Sequence, residues 1–137
     1  MRELVIEADV KSLDEVLDFI NEELEKADCP PKTQIQIDIA VEELYVNIAH
    51  YAYTPDVGNA KIIFDVNEDS EPRSVSITFI DRGVPYDPLK KPDPDITLPI
   101  DERKIGGLGI YMVKKSMDNI TYEYKDGQNI LTIEKRL

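Results

Sequence analysis

The chain has 137 residues, of which 16 are basic and 28 acidic, for a net charge of −12. That length allows one domain with a sizeable core, and the acidic balance argues against direct nucleic-acid binding and against anionic membrane surfaces. The single cysteine, Cys29, excludes an internal disulfide and a cysteine-based metal cluster, and no stretch approaches the roughly 18 apolar residues of a membrane span.

Met1-Arg2-Glu3 leads straight into a strand-like run (Leu4, Ile6, Ala8) with no apolar leader, so a cytoplasmic protein is expected. Ser12-Leu13-Asp14-Glu15 has the form of a capping box. Leu13, Val16, Leu17, Ile20 and Leu24 then recur at helical spacing, which predicts a first helix to about Ala27. Cys29, read as an inert surface or boundary residue, precedes Pro30-Pro31. Proline suits the first turn of a helix, so a second helix is expected from Pro31 or Lys32 to about Tyr51, with Ile35, Ile39, Val46 and Ala49 among its apolar positions.

Residues 61–67 and 74–80 read as strands joined by a polar hairpin loop. Residues 85–104 are proline-rich and aperiodic, and a loop of that length in a compact domain is usually functional. A third helix is expected over residues 108–117. Residues 120–124 and 130–134 flank Asp126-Gly127, a hairpin signal. This order predicts an α+β two-layer sandwich, with helices on one face of a mixed, mostly antiparallel sheet, and a single domain over residues 1–137.

Three features carry chemistry. Glu43 and Asn47, spaced i, i+4, share a helix face. The Asn carbonyl oxygen suits Mg²⁺, and a nearby carboxylate can serve as a general base. An isolated Glu-x3-Asn is ordinarily a solvated helix face; here the helix is apolar around much of its circumference, which encloses part of the pair. Asp81 ends a strand and precedes Arg82-Gly83. A carboxylate there can accept a hydrogen bond from an exocyclic amine such as that of adenine, although Asp and Gly are also the commonest turn residues. Finally, Gly106-Gly107-Leu108-Gly109 opens a helix whose first N–H groups lack partners and favour an anion. Arg103 and Lys104, just before it, are candidates for terminal phosphates. His50, the only histidine, reads as structural.

In that order, these segments resemble the GHKL (histidine-kinase-like) ATPase superfamily, and within it the anti-sigma-factor serine/threonine protein kinase branch. The N box corresponds to Ile39 through Tyr53 with Glu43 and Asn47, the first glycine box to Asp81 through Pro88, and the second to Gly106 through Val113. The tail, from Met117-Asp118 to Gly127-Gln128-Asn129-Ile130-Leu131, is similar as well. The resemblance implies a Bergerat-type ATP-binding fold, ATP and Mg²⁺ as ligands, Asn47 on the metal and Glu43 as the base activating an acceptor hydroxyl. It implies Asp81 on the adenine amine and Gly83 beside the base. Gly106, Gly107, Leu108 and Gly109 would hold the phosphates, residues 89–105 would form a lid, and Thr132 is a further candidate at the back of the pocket. It also implies an anti-anti-sigma (STAS-type) partner, a sigma factor as a further client, and a homodimer formed through the first strand and helix.

Two functions compete: a protein serine/threonine kinase acting as an anti-sigma factor, and a nucleotide-dependent protein-binding module without phosphotransfer. Only the first needs Glu43 as a base. The catalytic domain of a sensor histidine kinase fits less well, because the chain has no dimerisation helix pair and no phosphoacceptor histidine outside the N box. There is no Walker A lysine motif.

Overall fold

A computed structural model describes residues 1–53, 56–90 and 108–137. Among these residues five strands form one sheet: β1 (Arg2–Glu7), β2 (Asn59–Asn67), β3 (Ser74–Asp81), β4 (Asn119–Lys125) and β5 (Gln128–Arg136). Three helices pack on it: α1 (Leu13–Lys26), α2 (Pro31–Tyr51) and α3 (Leu108–Ser116). The strand order is β1-β2-β3-β5-β4 and every pairing is antiparallel, which makes the expected α+β two-layer sandwich.

Strand periodicity builds the two layers. Along β3, Val75, Ile77, Phe79 and Asp81 are buried while Ser74, Ser76, Thr78 and Ile80 are half-exposed on the other face. Ala60, Ile62 and Phe64 on β2, and Leu131 and Ile133 on β5, join the buried side. Val16, Ile20 and Leu24 of α1, Ile37, Val41, Leu44 and Tyr45 of α2, and Ile110 and Val113 of α3 close over it. A Val, Leu, Ile or Phe side chain buried this way contributes about 1.5–3 kcal/mol. Between β4 and β5, Asp126 (φ 53°) and Gly127 (φ 75°) supply the two left-handed residues of a tight hairpin turn.

Two local expectations change. Ser12 makes no side-chain cap; it lies at φ −90°, ψ 0°, ending a short 3-10 turn, instead of the extended conformation of an N-cap. Asp9 caps that turn, accepting from the Lys11 N–H (2.9 Å). On α2, Ile35 and Ile39 face solvent, and the buried positions are Ile37, Ala40, Val41, Leu44 and Tyr45. A helix apolar on nearly all sides does not announce which side packs. Cys29 is half-buried, and burial together with the Asp38 charge pushes its thiol pKa up, which leaves it a poor nucleophile.

Candidate functional site

The end of α2 and the C-terminal end of β3 enclose a cavity of about 40 Å³, completed by β4, β5 and the turn after β3. Leu44, Ile48, Ala52, Phe79 and Leu131 give it apolar walls, and Asn47, Asp81 and Asn129 give it polar groups. Tyr51, Tyr86 and Tyr122 stand at it, the first two rings 5.8 Å apart. Apolar walls with few convergent polar groups are the usual make-up of a small-molecule site.

Asp81 is buried at the end of β3, and the parity that buries Ile77 and Phe79 also turns it inward. Its Oδ1 accepts from the Gly83 N–H (2.9 Å) and from Asn129 Nδ2 (2.9 Å). Both hydrogen bonds fall on that one oxygen. Asn47 lines the same cavity from α2, and its side-chain Nδ2 is buried with no hydrogen-bond partner among the described residues. An orphaned buried amide facing a cavity is what a ligand would satisfy.

Gly83 is needed here for space: a Cβ would stand 2.1 Å from the Ala52 carbonyl oxygen at the end of α2. The same approach lets the Val84 N–H donate to that carbonyl (2.9 Å). The glycine thus seals the turn onto α2 beside the cavity.

Glu43 lies one helical turn before Asn47 but outside the cavity lining. With Ile39, Glu42, Val46, Gly109 and Met112 it lines an adjoining groove between α2 and α3. Its carboxylate sits against Gly109, where a Cβ would come within 2.2 Å of it.

Thr132 is not brought to the cavity. Its parity on β5 puts it on the helix-free face, where its hydroxyl lies 3.1 Å from that of Thr78. The β5 residue at the back of the cavity is Asn129, in register with Asp81. Sequence reasoning gave Asn129 no role. The signal was its parity with Leu131 and Ile133, a polar residue in an otherwise buried row. Tyr51 and Tyr86 fall within the two matching boxes but have no role assigned from sequence, and Tyr122, outside them, has none either. Burial, aided by the Asp87 and Asp81 charges and opposed by the Tyr86 backbone, raises the Tyr122 pKa, so its hydroxyl stays a donor and bonds Asn129 Oδ1.

Arg103, Lys104, Gly106, Gly107, the Leu108 side chain and most of the expected lid lie outside the described residues. His50 is exposed on the last turn of α2 with its ring beside Tyr51.

Among the described residues no helix is long and apolar enough to cross a membrane. The model of the histidine kinase-like ATPase domain matches residues 6–135. Over 97 residues the chain is 34% identical to a serine-protein kinase RsbW of Bacillus cereus and to one of Bacillus thuringiensis subsp. konkukian (strain 97-27). It is 36% identical to that of Bacillus cereus (strain B4264). Each match covers 68% of this chain and 58% of the relative, so the chain spans little more than half the length of the relatives it matches. The chain belongs to the histidine kinase-like ATPase domain family.

Proposed function

We propose that residues 1–137 act as one ATP-binding domain, an anti-sigma regulatory factor with protein serine/threonine kinase activity. Its substrate is a serine or threonine on an anti-anti-sigma partner of the STAS type. The observation that carries the reading is the pairing, in one apolar cavity, of an Asp81 carboxylate held through a single oxygen with an Asn47 side chain whose Nδ2 has no hydrogen-bond partner among the described residues.

Asp81 Oδ2 has no hydrogen-bond partner among the described residues and suits the exocyclic amine of adenine, while the apolar walls take the ring. Asn47 fits Mg²⁺ through its amide oxygen, since a carboxamide can turn either atom toward a ligand and Mg²⁺ prefers oxygen. When bound, ATP supplies the phosphoryl group and Mg²⁺ neutralises charge on it. The first N–H groups of α3 lack partners within the helix and serve as phosphate donors, with Gly106, Gly107, Arg103 and Lys104 completing that site. Glu43, beside Gly109 at the start of α3, takes the proton from the acceptor hydroxyl at its carboxylate. The names of the RsbW relatives support serine as the acceptor. A sigma factor is the further client, the assembly is a homodimer, and the compartment is the cytoplasm.

Calorimetry with ATP, with and without Mg²⁺, tests the pocket. The wild type is expected to bind in a Mg²⁺-dependent way, and Asp81→Asn, which swaps an acceptor for an amide, to bind at least about tenfold more weakly. Equal affinity in the variant would remove the assignment. A second reading, a nucleotide-dependent binding module without phosphotransfer, is favoured by the place of Glu43 in the groove and outside the cavity lining. Single-turnover transfer of the terminal phosphate to the partner separates the two.

A further inference from the structure

An amide side chain has two N–H donors and an oxygen that accepts twice. In Asn129, only 6% exposed, all four are used. Nδ2 donates to Asp81 Oδ1 and to the Val84 carbonyl, each at 2.9 Å. Oδ1 accepts from the Tyr86 N–H (3.1 Å) and from the Tyr122 hydroxyl. The chemistry of the partners fixes which way the amide points: the Tyr86 N–H can only donate and the Val84 carbonyl can only accept. No polar valence of Asn129 remains for a ligand.

Its effect falls on Asp81. Because Oδ1 already receives the Gly83 N–H and the Asn129 amide, the carboxylate presents one defined oxygen, Oδ2, and cannot turn without breaking both bonds. Asn129 also ties that carboxylate to β4 through Tyr122 and to the turn after β3 through Val84 and Tyr86. We propose that Asn129 is the positioning residue that sets base selectivity, because it saturates Asp81 Oδ1 and leaves Oδ2 as a fixed, acceptor-only oxygen. That oxygen takes a purine carrying an exocyclic amine and rejects one carrying a carbonyl. This rests on the nucleotide-pocket reading above.

The energetic logic is asymmetric. An amine meets Oδ2 with a hydrogen bond, whereas a carbonyl oxygen leaves two buried acceptors facing each other without a proton. Sites built around such a bond reject the analogue that lacks it far more strongly than apolar walls reject a shape change. A carboxylate free to turn, or to admit a water, loses that discrimination while the apolar walls still hold the ring.

The test is calorimetric titration of ADP and of inosine diphosphate, which has a carbonyl in place of the amine, into wild type and Asn129→Leu with Mg²⁺ present. The expected result is a wild-type preference for ADP that Asn129→Leu narrows by about tenfold or more. If both affinities fall by the same factor, or neither changes, Asn129 only supports the fold and the proposal is overturned. Should Asn129→Leu not fold, Tyr122→Phe, which removes one bond to Asn129 Oδ1, is expected to narrow the preference by about threefold; an unchanged preference there overturns it. A wild type that binds both nucleotides equally overturns the proposal while leaving the pocket. One that binds neither overturns the pocket reading and, with it, this proposal.

Discussion

Gly109 on α3 and Glu43 on α2 approach so closely that a Cβ on Gly109 would lie 2.2 Å from a carboxylate oxygen of Glu43 and would displace it. Alanine normally favours a helix over glycine by about 1 kcal/mol. The atoms in the way are the end of a flexible side chain, which swings aside at little cost, so Gly109→Ala is expected to leave the unfolding midpoint unchanged or slightly raised. By displacing the carboxylate it should reduce phosphoryl transfer by about 10²-fold. Thermal unfolding and a single-turnover transfer assay check both effects, and transfer equal to that of the wild type would contradict the contact.

Glu43 and Asn47 separate chemistry from binding. Glu43→Ala should leave ATP affinity near that of the wild type and reduce transfer by about 10²–10⁴-fold, the usual contribution of a general base. Asn47→Ala should instead make ATP affinity insensitive to Mg²⁺, since it removes the amide in the cavity. Calorimetry and transfer, measured on both variants, distinguish them. Transfer that survives Glu43→Ala would remove the base role.

Gly83→Ala meets backbone, which cannot step aside. The added Cβ would stand 2.1 Å from the Ala52 carbonyl oxygen and 2.5 Å from its carbon. Destabilisation of about 1–3 kcal/mol in urea unfolding is expected, with weaker nucleotide binding as the turn lifts from α2. A stability equal to the wild type would contradict the close approach of this turn to α2.

Asp38 predicts a pH dependence. Its Oδ1 is buried without a hydrogen-bond partner among the described residues, and its carboxyl pKa is raised above 3.8 by burial, with the Glu42 charge adding and the Asn21 amide opposing. A raised folded-state value means that the folded state holds the proton more tightly than the unfolded one. The group's favourable contribution is thus complete below 3.8 and lost as pH rises through the folded-state value. Asp38→Asn, which cannot ionise, should raise the unfolding midpoint at pH 7, and the gain should shrink toward zero as pH falls to about 3. A gain independent of pH would mean that ionisation of Asp38 is not its source.

Much of this molecule was legible from residue order alone, because helix and strand periodicity, proline at a helix start and Asp-Gly at a hairpin are local signals. α2 begins at Pro31 and ends at Tyr51 as the pattern requires, and the β4–β5 turn falls on Asp126 and Gly127. Asp81, Asn47 and Gly83, identified from the order of three boxes, line or border one cavity. Where both parities were apolar, local reasoning failed. Ile130 and Leu131 are adjacent on β5, so the pattern alone does not say which face of the strand turns toward the helices, and Thr132, a candidate for the back of the pocket, lies on the other face.

Residue order thus dictated the elements, their succession and the chemical groups on offer. Long-range packing alone set β5 between β3 and β4, which brings Asn129 opposite Asp81, and turned Ile37 of α2 inward and Ile35 outward. A local hydrogen-bond period fixes which residues share a face, whereas register and close backbone approach depend on contacts between residues far apart in the chain. Asp81 and Asn129 are 48 positions apart, and the carboxylate that crowds Gly109 belongs to a different helix.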